Sequence, residues 1–200
     1  MGNLEIREPI QKRSIEKKEK IIKYGFNLIC EKGYHNTNTA EIAKAAGVST
    51  GIVYQYFNDK RDIFLQGIEQ YAKTLMFPIN NIKNKKINKE NLHDEFKNLI
   101  NLCLKNHKIS ETAHEEIWAL QHSDKAVAEI FNNYEIETTN NLVEILQANN
   151  INPENINEKA HLIVSIIDNL CHELVYHKHE NMNYDAMTDI VINTIIYLLK

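Results

Sequence analysis

The chain is expected to be all-α, with an N-terminal three-helix helix-turn-helix domain ahead of a larger C-terminal helical domain, about nine helices in total. Three observations point there. Six glycines and three prolines in 200 residues, 43% of them apolar, leave room for long helices with a core between them. Apolar residues recur three to five apart along most of the length, the spacing of one helix face. Residues 37 to 60, TNTAEIAKAAGVSTGIVYQYFNDK, read as two short helices hinged at a glycine.

The first helix carries the stripe Ile22, Phe26, Ile29 and Cys30, one apolar face to cover that helix pair. Within the pair, Ile42, Ala43, Ala46, Val48, Val53 and Phe57 share one small core. Gly47 follows the last periodic residue of the second helix, where a left-handed C-cap is needed, and Ser49 can cap the third. Ala43 and Ala46 are small enough for the two helices to cross closely. The fourth helix carries Ile63, Phe64, Ile68, Tyr71 and Leu75, and Pro78 should bend or end it.

The polar, lysine-rich stretch from residue 80 to 91 reads as a loop. Leu92, Phe96, Leu99, Cys103 and His107 define a fifth helix; Ala113, Ile117 and Leu120, beside Trp118, a short sixth. Val127, Ile130, Phe131, Tyr134, Leu142, Ile145 and Leu146 run through a long seventh that the NNINPENIN stretch ends. The last two helices, over residues 159–178 and 187–199, are apolar over surfaces too wide for a single contact. Each should pack on its own subunit and on a second copy. The domains expected are 14–75, with the helix-turn-helix at 38–57, and 76–200.

A recognition helix meets base edges with its first turns, so Thr50, Gly51, Ile52 and Gln55 would enter a major groove. Tyr54, Tyr56 and Lys60 would lie beside the phosphates, and Ser49 would open the helix. Thr37 and Thr39 could cap the preceding helix or donate to a phosphate. Charge agrees with this division. Residues 12 to 62 carry a net charge of +4 within a chain of net −4. Lys12, Arg13, Lys17, Lys18 and Lys20 concentrate it at the start of the first helix.

From about Ile15 to Phe64 the chain resembles the DNA-binding domain of the TetR family of bacterial transcriptional repressors. The pattern T-x-x-x-x-IA-x-x-AGVS-x-G-x-x-Y-x-YF-x-x-K is carried by Thr37, Ile42 and Ala43, Ala46 to Ser49, Gly51, Tyr54, Tyr56 and Phe57, and Lys60. The resemblance implies a homodimeric, all-helical regulator whose C-terminal domain binds a small molecule and dimerises through its last two helices. It would act on double-stranded DNA with palindromic half-sites. Ala40 and Gln55 depart from the family pattern, so the resemblance implies DNA binding without naming an operator.

The effector would lie between the fifth to eighth helices, near Phe96, Cys103, His107, His114, Trp118, Tyr134 and His172, residues that serve equally well as core. His161, Ser165, Asp168 and His172 share one helix face at i, i+4, i+7 and i+11. That face reads as solvent-exposed, or as a metal site in which Asp168 and His172, with His161 on the same stripe, are joined by His107 or His114. Cys30, Cys103 and Cys171 lack C-x-x-C pairing and read as buried thiols. No cofactor is expected. Nor is an enzyme, since G-x-S-x-G, H-E-x-x-H and a Gly-rich phosphate loop are all missing. Without a signal peptide or an apolar membrane span, the protein is expected in the cytoplasm.

Overall fold

The computed structural model describes residues 11–76, 79, 82, 83, 85–88, 90–107 and 111–200. Among them the secondary structure is helical: α1 Lys12–Lys32, α2 Thr39–Ala46, α3 Thr50–Tyr56, α4 Lys60–Met76, α5 Leu92–Asn106, α6 Glu111–Ser123, α7 Lys125–Ala148, α8 Ile156–Tyr176 and α9 Tyr184–Leu198. No described helix is long and apolar enough to cross a membrane. Pro78, expected to end α4, lies outside the described residues.

The described residues form two compact units. The first takes its residues from the chain up to Tyr71 and from Ile109–Ile130; the second from Ala72–Lys108 and Phe131–Lys200. Helix α6 and the first residues of α7 therefore belong with the helix-turn-helix, although about 50 residues of sequence intervene between it and α6.

In the first unit Ile21, Ile22, Ile29, Ile42, Ala43, Ala46, Val53, Phe57, Ile63, Phe64 and Ile68 are buried. The α1 face is centred on Ile21, Ile22, Gly25 and Ile29, with Phe26 and Cys30 half-buried at its margin. Gly25 is there for proximity: an added Cβ would come within 2.7 Å of Ile63 Cγ2 and 3.0 Å of Ile42 Cγ2. Phe26 stacks on Phe64 with ring centroids 6.0 Å apart. Two polar ties fasten α6 to this unit. The Glu116 carboxylate accepts the Tyr34 backbone N–H at 2.8 and 3.1 Å. Arg61 donates twice to Asp124, and Asp124 Oδ1 also accepts the Ala126 N–H that opens α7. Burial, reinforced by the carboxylates of Glu116 and Glu31, pushes the Cys30 thiol up to about 12.

The second unit has its own core, built from α5, the later part of α7, α8 and α9. Ile79, Ile82 and Ile87 are part of it. The stretch expected to be a polar loop thus lays Ile82 and Ile87 against the helices, while Lys83, Lys85 and Lys86 stay at the surface. Ile87 N–H donates to Asn149 Oδ1 at 2.7 Å, which ties this stretch to the end of α7. Cys103 and Cys171, far apart in sequence, meet in this core, where their side chains hydrogen-bond and the Cys171 thiol is held well above its ordinary value.

Candidate nucleic-acid interface

The turn between α2 and α3 follows from three residues. Gly47 adopts φ 67°, ψ 36°, the left-handed conformation that a Cβ disfavours, and its N–H returns to Lys44 O. Val48 N–H bonds Ala43 O at 2.9 Å, closing the helix end. Ser49 is then the N-cap of α3, its Oγ accepting Ile52 N–H at 3.4 Å.

The start of α2 differs from expectation. Its N-cap is Asn38, which accepts Glu41 N–H at 3.0 Å while the Glu41 carboxylate accepts Asn38 N–H at 3.1 Å, a complete capping box. Thr37, expected as a cap or a phosphate donor, is buried instead, and its hydroxyl donates to Gly33 O at 3.0 Å. Thr39 is the first residue of α2 and half-exposed.

Along α3 the side chains divide by helical phase. Val53 faces inward, whereas Gly51, Tyr54 and Gln55 are exposed and Thr50 and Ile52 half-exposed. Gly51 has open space where a Cβ would stand, its nearest neighbour being Ser49 Oγ at 3.9 Å. Two expected phosphate anchors are placed elsewhere. Tyr56 is only 8% exposed and belongs to the core. Lys60 donates to Tyr34 O at 2.6 Å and Thr37 O at 2.8 Å, with its ammonium 4.4 Å from the centre of the Tyr34 ring. Two of its three donors therefore hold the loop before α2, which leaves one for anything outside the fold.

Cations are nonetheless abundant beside α3. Lys12, Arg13, Lys17 and Lys20 are exposed on α1, and Lys18 lies 5.9 Å from the centre of the Phe57 ring. Lys44 is exposed on α2. The surface offers a groove-sized helix with small and polar side chains at its first turn, flanked by positive charge. That combination suits a phosphate backbone with base edges between its strands.

The residues expected around an effector fall into both units. Phe96 and Cys103 are packed in the core of the second. His107 is buried, Tyr134 and His172 are half-buried, and Lys73 Nζ lies 5.8 Å from the Tyr134 ring centre. His114 and Trp118 belong to the first unit, on α6. His114 is buried, but Trp118 is 45% exposed beside His122, so its ring is not enclosed by its own unit.

The polar stripe of α8 is not simply a solvated face. His161 Nδ1 lies 3.2 Å from Thr139 Oγ1, which itself donates to Glu135 O, so the imidazole is the donor in that pair. Ser165 Oγ donates to Glu135 Oε1 at 3.2 Å. His161 and Ser165 thus face α7, whereas Asp168 and His172 gather with His107 at the end of α5. Of the donors weighed for the metal site, His107 joins Asp168 and His172, and His161 does not.

Residues 21–66 match the family model described as bacterial regulatory proteins, tetR family. The HTH-type transcriptional regulator HbdR of Aromatoleum sp. (strain CIB) is 41% identical over 59 residues, 30% of this chain and 26% of that protein, so the match spans about a quarter of the relative. The nucleoid occlusion factor SlmA of Haemophilus influenzae is 25% identical over 167 residues, 81% of this chain and 75% of that protein. A solved transcriptional regulator from Saccharomonospora viridis, in complex with choline, superposes with a TM-score of 0.66 over 90% of this chain and 96% of its own, at 17% identity. The helix-turn-helix segment, residues 21–66, is thus similar to that of the tetR family of bacterial regulatory proteins.

Proposed function

We propose that the protein is a dimeric, sequence-specific DNA-binding regulator of transcription, a repressor that a small-molecule effector bound in the C-terminal domain releases from its operator. The observation that carries the reading is the exposed face of α3, where Thr50, Gly51, Tyr54 and Gln55 point outward from a helix fixed by Gly47 and Ser49. Thr50 to Ile52 and Gln55 read base edges; Tyr54, Thr39 and the lysines of α1 touch phosphates. The C-terminal domain begins near residue 76. The effector acts by binding one conformation better than another, a coupling of about 1–3 kcal/mol for such systems. The choline in the S. viridis regulator supports a small molecule as the signal. The similarity to SlmA, a nucleoid occlusion factor, supports the alternative of a structural DNA-binding protein without an effector.

The test is selection of duplexes from a random pool by the purified protein. Enriched sequences should share two inverted half-sites about one DNA turn, roughly 34 Å, apart or somewhat more. Thr50→Ala or Gln55→Ala should alter the enriched sequence, whereas Lys17→Ala should weaken binding uniformly and flatten its salt dependence. A pool that emerges without enrichment would remove the regulator reading.

A further inference from the structure

The C-terminal end of α5 meets the middle of α8 within the second unit, and the contact there needs a bridging hydrogen or metal ion. His107, the C-cap of α5, has Nδ1 2.9 Å from Cys103 O. A carbonyl oxygen only accepts, so Nδ1 carries the hydrogen and the ring is held in one orientation. Its Nε2 then faces Asp168 Oδ1 at 3.1 Å, and Asp168 Oδ2 lies 3.6 Å from His172 Nε2. On a neutral ring, Nε2 would point a lone pair at a carboxylate oxygen. A hydrogen or a metal ion must therefore sit between the two.

The arrangement favours the metal. Donor atoms of His107, Asp168 and His172 all lie within 4.8 Å of one another. A tetrahedral ion with bonds of about 2.0–2.2 Å needs its donors about 3.3–3.6 Å apart; the 3.6 Å between His172 Nε2 and Asp168 Oδ2 meets this, and the 3.1 Å between His107 Nε2 and Asp168 Oδ1 falls slightly short of it. The Nδ1–H to carbonyl bond is the outer contact that orients metal-binding imidazoles. Tyr176, one turn beyond His172, donates its hydroxyl to His107 O and fixes the backbone of the same ligand. Asp168 and His172 are half-exposed, which gives an ion a way in, while His107 is buried behind them. We propose that His107, Asp168 and His172 bind a divalent transition-metal ion of the zinc class, with water completing the coordination. Two imidazoles and one carboxylate suit such an ion better than magnesium or calcium, which prefer oxygen donors.

The experiment uses the full-length protein without a histidine tag, stripped with chelator and dialysed. Zn²⁺ is titrated in competition with a chromogenic chelator, and Co²⁺ is added separately to read ligand-field bands. One equivalent of Zn²⁺ per chain should bind, and Co²⁺ should give visible absorption. Asp168→Asn and His172→Ala, both at solvent-reachable positions, should each weaken binding by at least the roughly 10–100-fold that an outer-contact change alone produces. His161→Ala should leave it unchanged. Zn²⁺ should also raise the melting temperature of the wild type more than that of either variant, which reads the site even where a variant is less stable. Binding below stoichiometry, or affinity that survives both substitutions, would overturn the proposal and leave a hydrogen as the bridge. No DNA enters the assay, so this outcome is independent of operator selection.

Discussion

Single residues show where sequence and structure part. Gly47 and Ser49 were legible because a left-handed cap and an N-cap each demand a narrow set of residue types. Thr37 was not, since a hydroxyl before a helix suits a cap, a phosphate or, as here, a buried bond to Gly33 O. The N-x-x-E spacing from Asn38 to Glu41 held the missed signal. Lys60 likewise carries a charge that sequence alone assigns to the outside, yet it joins the carbonyls of Tyr34 and Thr37. Lys60→Met should therefore lower unfolding stability by about 2 kcal/mol, the scale of charged hydrogen bonds lost with their acceptors left behind, measured by urea denaturation. Gly51 predicts the reverse. Nothing in its own fold occupies the space of a Cβ, and glycine within a helix costs roughly 0.5–1 kcal/mol relative to alanine. Gly51→Ala should raise stability by about that amount while weakening binding to selected duplexes. A variant that gained stability and kept full affinity would show that no ligand approaches this backbone.

At the level of elements, periodicity located every long helix and the loop from residue 80 to 91, but not the burial of two isoleucines within that loop. Ile82 and Ile87 are five apart, a spacing that fits neither a helix face nor a strand, and the lysines around them mask their burial. The attachment of α6 to the helix-turn-helix was equally hidden, because it depends on a carboxylate reaching a backbone N–H 82 positions away. Asp124 gives that attachment a pH signature. The Arg61 guanidinium holds its carboxyl below the ordinary aspartate value, so the pair stabilises the fold above about pH 4 and loses that contribution as pH falls through the lowered value. Asp124→Asn keeps the side-chain oxygen that caps α7 but not the charge. It should cost about 0.5–1 kcal/mol at neutral pH, as befits a partly exposed pair, and its stability should converge with that of the wild type in acid. Thermal unfolding from pH 7 down to pH 3 reads both.

For the whole molecule, the wide apolar surfaces of the last two helices end in exposed side chains: Ile190 is 65% and Tyr197 75% exposed on α9, with Leu162 exposed on α8. Wide surfaces were readable from composition along each helix, but a partner for them is not written in one helix's periodicity. If these residues form the proposed dimer contact, Ile190→Glu should shift the protein to monomer in sedimentation equilibrium and weaken duplex binding at the same time. A variant that stayed dimeric would exclude α9 as the contact. The division into units also bears on how the chain is made. Because the first unit draws on residues up to Tyr71 and again on Ile109–Ile130, synthesis must run through Ile130, including a stretch destined for the other unit, before the first unit has all its parts. Vectorial synthesis, which usually lets an N-terminal domain finish first, here delays it, and α1 to α4 emerge with the seats for Glu116 and Asp124 still vacant.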